Sequence, residues 1–314
     1  MQRLFDNYIR HLEVECNASP YTIRNYANDL LGNYARGPEK GFFQFLRFKQ
    51  IGSLEDVDKT ILRDYISWLM QQGVAKGSIA RKLSAVRSLY RYLVREGFLP
   101  HNRLETASTP KLDRRLPSFL TIGEVEKLLQ APDLSTPQGQ RDLTLMELLY
   151  AAGLRVSELV NLDIEHVYRN TRELRVWGKG NKERMVLIGR PATEALNKYL
   201  NEARPKLLGD KRNNALFLNR YGERLLERRV QKILDECTKK AGLDKKVHPH
   251  MLRHTFATHM LDGGADLRVV QELLGHANLT STQIYTHVTK SQARKVYLSA
   301  HPMAQERGRE LENS

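Results

Sequence analysis

The sequence predicts a mainly α-helical protein in two parts, and three observations carry that prediction. Apolar residues recur at helical spacing almost from end to end. Side chains suited to capping stand just ahead of these runs, and glycines or prolines stand just after them. Strand-like alternation is confined to one stretch, ELRVW and ERMVLIG around the turn GKGNK. With 314 residues the chain is long enough for two domains, each with its own core.

The elements follow in order. Leu4, Phe5, Tyr8, Ile9 and Leu12 form the stripe of a first helix. Ser19 caps a second, with Pro20 at its first position and Ile23, Tyr26 and Leu30 on its apolar face. LGNYARGPEKGFF reads as a loop and leads into a short helix through Phe45, Leu46 and Phe48. Asp58 caps a helix carrying Ile61, Leu62, Tyr65, Ile66 and Leu69, which stops near Gly73. Ser78 is the expected cap of the next, which carries Leu83, Val86, Tyr90 and Leu93 and stops near Gly97. Residues 1–108 therefore read as a small helical bundle. Pro110 and Pro117 bracket KLDRR, a charged stretch without apolar period, so 109–118 reads as a linker. The second part, 119–314, opens on the capping box of Thr121 and Glu124. It holds the hairpin, with Lys179 near its tip, and returns to helices from about Pro191. Around Arg294, Val296 and Leu298 a last helix is expected, and His301-Pro302 interrupts it before a charged tail.

Lys and Arg number 50 against 36 Asp and Glu, a formal net charge of +14. An excess of that size points to a polyanion, nucleic acid first and an anionic membrane surface second. No apolar run is long enough to span a bilayer, and the charged N-terminus lacks the pattern of a signal peptide. The two cysteines, Cys16 and Cys237, are far apart and outside any CxxC pair, which fits a cytoplasmic protein without a disulfide framework.

Four basic residues are candidates for gripping the DNA backbone: Lys76 and Arg81 near the start of one helix, Arg87 and Arg91 one turn apart along it. The alternative is a solvated charged face. In AAGLRVSELVNLDIEHV, Leu154, Leu159 and Leu162 take helical spacing and leave Arg155 among apolar neighbours. Its anionic partner is either Glu158, three residues on, or a bound phosphate. VHPHMLRHTFATHM is the stretch densest in ionisable groups. His250 and His254 have the spacing of a helical zinc pair, but Met251 stands where HExxH has glutamate, and Arg253 would set a fixed positive charge beside any cation. The reading is no metal and an anion site, with Arg253 forked onto phosphate oxygens. In LLGHANLTSTQIYTHV, His276 follows a glycine, and Thr280 with Gln283 caps a short helix carrying Tyr285.

Taken together, GLRVSEL, GKGNKER, HPHMLRHTFATHM and LLGHANLTSTQIYTHV, in that order and spacing, closely resemble the tyrosine site-specific recombinases of the phage integrase family, and within them the Xer type. The resemblance covers nearly the whole chain. It implies a SAM-like core-binding domain followed by a catalytic domain, closing as a clamp on duplex DNA. It implies Arg155 and Arg253 as the active-site arginines, Lys179 as the catalytic lysine, His250 and His276 as its histidines and Tyr285 as the nucleophile. Cleavage through a 3′-phosphotyrosine and a Holliday junction would need neither ATP, metal nor other cofactor. The implied partners are double-stranded DNA, a homo- or hetero-tetramer on two sites, a paralogous recombinase and a DNA translocase, with no membrane. The implied task is resolving chromosome dimers. A mobile-element integrase is the alternative, less favoured because the chain starts directly at the core-binding helices. A C-terminal tail exchanged between subunits is a further implication, against a solvated tail. The loop from Gly32 to Gly41 departs from the pattern by its length, which unsettles the carry-over of first-domain DNA contacts.

Overall fold

A computed structural model describes residues 1–16, 18–32, 40–104, 118–178, 183–275 and 290–304, with the backbone alone at 290–292. The chain divides into two compact units, Met1–Arg115 and Leu116–Ser314. Most of the expected linker and of the long loop after Gly32 falls outside the described residues.

The first unit packs α1 (Gln2–Val14), α2 (Pro20–Leu31), α3 (Phe42–Phe48), α4 (Lys59–Gln71) and α5 (Lys76–Arg95) around Tyr8, Leu30, Phe42, Phe45, Tyr65, Leu83, Val86 and Tyr90. Caps act where their side chains can reach the free amides of the first turn: Ser19 Oγ accepts from the Thr22 amide, and Asp58 from those of Thr60 and Ile61. Ser78 does not cap. Gly73, at φ +68, turns the chain after α4 so tightly that Ala75 already flanks α5, and Ser78 lies inside it.

In the second unit α6 (Ile122–Gln130) begins on the capping box of Thr121 and Glu124. The helix α7 (Pro137–Ala151) is buried on nearly every side from Thr144 onward, with Leu145, Met146, Leu148, Leu149 and Tyr150 enclosed, so it forms the centre of the core. Leu154, Leu159 and Leu162 are buried, yet not on one continuous helix. Gly153, at φ +55, ends the run, and a short α8 (Val156–Val160) follows. The hairpin pairs β2 (Glu173–Trp177) with β3 (Glu183–Leu187) antiparallel, Leu174 opposite Val186 and Val176 opposite Arg184. A two-residue strand β1 (Val167–Tyr168), too short to show alternation in sequence, pairs with β2 on its other edge. Then come α9 (Arg190–Lys198), a wider π turn over Tyr199–Ala203, α10 (Arg204–Leu208), α11 (Glu227–Lys240), α12 (Pro249–Asp262), α13 (Leu267–Leu274) and α14 (Lys290–Ala300).

The last helix faces inward through Tyr297 and Ala300, whereas Leu298 is 44% exposed, so the expected stripe is rotated by one residue. His301 is not in a solvated tail. Its ring is fully buried, 4.9 Å from the Tyr150 ring and 5.5 Å from Phe256, and stacked at 5.2 Å on Tyr297. Among the described residues no helix is long and apolar enough to cross a membrane.

Glu147 on α7 is buried with one carboxyl oxygen unpaired among the described residues, and burial pushes its pKa up to about 7. An acid raised on folding stabilises nothing by ionising. The fold is unpenalised below the unfolded value and loses stability as pH rises from there through about 7. Glu147→Gln removes this loss, so its stability relative to the parent should gain about 3 kcal/mol between pH 4 and pH 8. Urea unfolding followed by Trp177 fluorescence in a Trp68→Phe background measures it. A pH-independent difference would contradict the assignment.

Candidate active site

The bend at Gly153 makes Arg155 the residue that flanks α8, placing its side chain at the helix start. Glu158, three residues on, reaches back: it accepts the Arg155 amide at 2.9 Å and Arg155 Nη1 at 2.7 Å. The ion pair foreseen as one of two alternatives therefore forms. Arg155 Nη2 reaches the Gly275 carbonyl at 3.3 Å, and the side chain stays 30% exposed. Glu158 is buried and takes a second guanidinium, Arg184 of β3, whose Nη1 and Nη2 donate at 2.8 and 3.0 Å. Burial alone would raise the Glu158 pKa, but the hydrogen bonds from Arg184 and Arg155 outweigh it and hold the carboxyl below its ordinary value.

Arg253, on the second turn of α12, is buried and donates to two carbonyls, Gly153 at 2.5 Å and Leu274 at 2.6 Å. Burial, and then the charge of Arg155, lower its pKa to about 10. It stays protonated at neutral pH while lacking, among the described residues, a carboxylate of its own. Arg155, Arg184 and Arg253 thus share one anion, Glu158, and the excess positive charge needs another. A phosphodiester fits, because guanidinium forks match its non-bridging oxygens.

His250 stands in the first turn of α12, exposed, one turn before Arg253 on the same helix. Lys179, His276 and Tyr285 lie outside the described residues. The other histidines of that stretch have structural work: His248 caps α12 by accepting the Met251 amide, and His259 Nδ1 lies 2.8 Å from the Tyr150 hydroxyl. The four basic candidates sit on α5 of the first unit. Arg87 and Arg91 line a recess with Tyr26, Ser84 and Asn102, Lys76 opens the helix, and Arg81 pairs at 2.5 Å with buried Asp29 of α2. Sequence reasoning missed Arg184. The signal was present: strand alternation puts it on the inward face with Val186, where a charge requires a partner.

Arg155 and Arg253 thus come together where α8, α12 and the end of α13 meet, and likeness to known proteins says which class of protein carries them. The chain belongs to the phage integrase family, whose pattern, described as "Phage integrase family", matches residues 118–292, while "Phage integrase, N-terminal SAM-like domain" matches 5–97. It is an enzyme of DNA cleavage and rejoining. It is 47% identical to tyrosine recombinase XerC of Pelotomaculum thermopropionicum, over 95% of this chain and 98% of the relative. To tyrosine recombinase XerD of Staphylococcus epidermidis it is 40% identical, over 97% and 100%. A solved XerH site-specific recombinase bound to palindromic difH substrate, in a post-cleavage complex, shares the fold at a TM-score of 0.67 and 24% identity, over 92% of this chain and 80% of that one.

Removing the shared anion leaves two guanidiniums facing each other. Glu158→Ala should therefore cost about 3 kcal/mol in the same unfolding measurement. A change under about 0.5 kcal/mol, the range of ordinary surface substitutions, would mean that the network contributes little.

Proposed function

We propose that this Xer-type recombinase cuts and rejoins DNA with Tyr285 as nucleophile, and that its task is the resolution of chromosome dimers. The single observation supporting the site assignment is buried Arg253 beside Arg155, held by two carbonyls and without a carboxylate of its own among the described residues. The scissile phosphate supplies the anion. As the Tyr285 oxygen attacks phosphorus, the P–O5′ bond breaks, and the two arginines neutralise the charge building on the non-bridging oxygens. A phenol has an ordinary pKa of about 10, so its proton must be drawn off during attack, the role of His250. His276 hydrogen-bonds the phosphate, and Lys179 gives a proton to the departing 5′ oxygen. The resulting 3′-phosphotyrosine retains the energy of the broken bond, so the 5′ hydroxyl of the exchanged strand can rejoin without ATP.

In this reading the enzyme works in the cytoplasm as a tetramer, alone or with a paralogous recombinase, under control of a DNA translocase, and it needs no cofactor. A lambda integrase tetramer bound to a Holliday junction shares the fold at a TM-score of 0.64 and 21% identity, over 89% of this chain and 75% of that one. The names XerC and XerD of the relatives favour a chromosomal task over a mobile-element one. Lys76, Arg81, Arg87 and Arg91 contact the DNA backbone from the first unit, Arg81 after sharing its charge with Asp29.

Two measurements test this. On nicked duplexes made from the source chromosome near its replication terminus, the wild-type chain should form a denaturant-resistant adduct mapping to Tyr285, with a chelator present. Tyr285→Phe should form none; an adduct retained by that variant rules the nucleophile out. Replacing Arg87 and Arg91 together by Ala should reduce the slope of log K against log salt by about 2, near 0.9 per phosphate contact. An unchanged slope would take α5 off the DNA.

A further inference from the structure

Arg184 belongs to none of the roles above, yet it touches both groups that hold Arg155. The first is the Glu158 carboxylate. Its Oε1 accepts from Arg155 Nη1 and Arg184 Nη1, and its Oε2 from the Arg155 amide and Arg184 Nη2. A two-pronged guanidinium–carboxylate bond fixes the carboxylate plane, and that plane sets where Arg155 can bind. The second is Gly275, whose carbonyl accepts from Arg155. The Arg184 side chain lies across it so closely that a Cβ there would sit 3.0 Å from both Cδ and Nε.

Charge gives a second argument. Were Glu158 paired with Arg155 alone, the two would neutralise each other and Arg253 would be left as the uncancelled charge. With two guanidiniums on one carboxylate, a net positive charge survives. Arg184 is only 15% exposed and both its terminal nitrogens are committed to Glu158, while Arg155 is the more open of the two.

We infer that Arg184 is a positioning residue for catalysis: it orients Arg155 through Glu158 and Gly275 and keeps the site's charge positive, without touching the phosphate. This rests on the proposed role of Arg155. The test is single-turnover adduct formation on the nicked duplex that the wild-type chain cleaves, with either a phosphodiester or an uncharged methylphosphonate at the scissile position. Arg184→Ala should slow adduct formation on the phosphodiester about 10- to 100-fold, the effect of a misplaced catalytic group. DNA affinity should stay within about twofold, because backbone contacts elsewhere carry it.

The defect should shrink on the methylphosphonate, where less charge needs neutralising. Arg155→Ala with Arg184→Ala should be no slower than Arg155→Ala alone, because both substitutions remove one function. Arg184→Lys, which keeps the charge and loses the fork, should fall between. Urea unfolding identifies a variant that merely fails to fold, in which case Arg184→Lys carries the test. An additive double variant, or equal loss on both substrates, overturns the inference and leaves the role of Arg155 standing. A wild-type chain that forms no adduct at all overturns both.

Discussion

One buried carboxylate carries most of the constraint in this site. Glu158 is where α8 and β3 meet electrostatically, and it accepts from the Arg155 backbone as well as from two side chains. A buried charge is costly unless it is paired and hydrogen-bonded, and here both requirements are met by two guanidiniums and a backbone amide. The helix start, the hairpin and the first arginine are therefore linked. Moving any one of them means breaking charge-assisted bonds in a partly water-excluded place.

Arg253 is built on a different rule. It has carbonyls where Arg155 has a carboxylate, and this keeps its charge uncancelled. The Leu274 carbonyl becomes available because α13 ends there, and that of Gly153 because it lies in the turn just past the end of α7, where carbonyls have no helical partner. The fold thus supplies neutral acceptors that orient the guanidinium while leaving its charge uncancelled. Electrostatic preorganisation of this kind is what a phosphoryl-transfer enzyme needs most.

Much of this was legible in the sequence, for identifiable reasons. Ser19, Asp58 and the Thr121–Glu124 box announce helix starts because capping is local. Ser78 misleads because tight turning at Gly73 sets the start of α5, not side-chain chemistry. Leu298 misleads because tertiary packing selects Tyr297 and Ala300 for the core. Arg155 can be picked out from its apolar neighbours and Arg253 from a stretch dense in ionisable groups, but that they meet through Gly153, Leu274 and Gly275 depends on contacts 21 to 120 residues apart. Arg184 required taking the strand alternation literally, and a charged residue on an inward face was the clue.

Gly153 has a consequence for how such an enzyme can diversify. A methyl group there would come within 2.6 Å of the Phe256 ring and 2.8 Å of Leu274, and its φ of +55 disfavours any side chain. The position beside Arg155 and Arg253 is therefore closed to variation. The exposed faces of α5, held by a core of their own, carry no comparable restriction. A lineage, or a directed-evolution campaign, can vary the exposed faces of the first unit while the bend at residue 153 stays frozen.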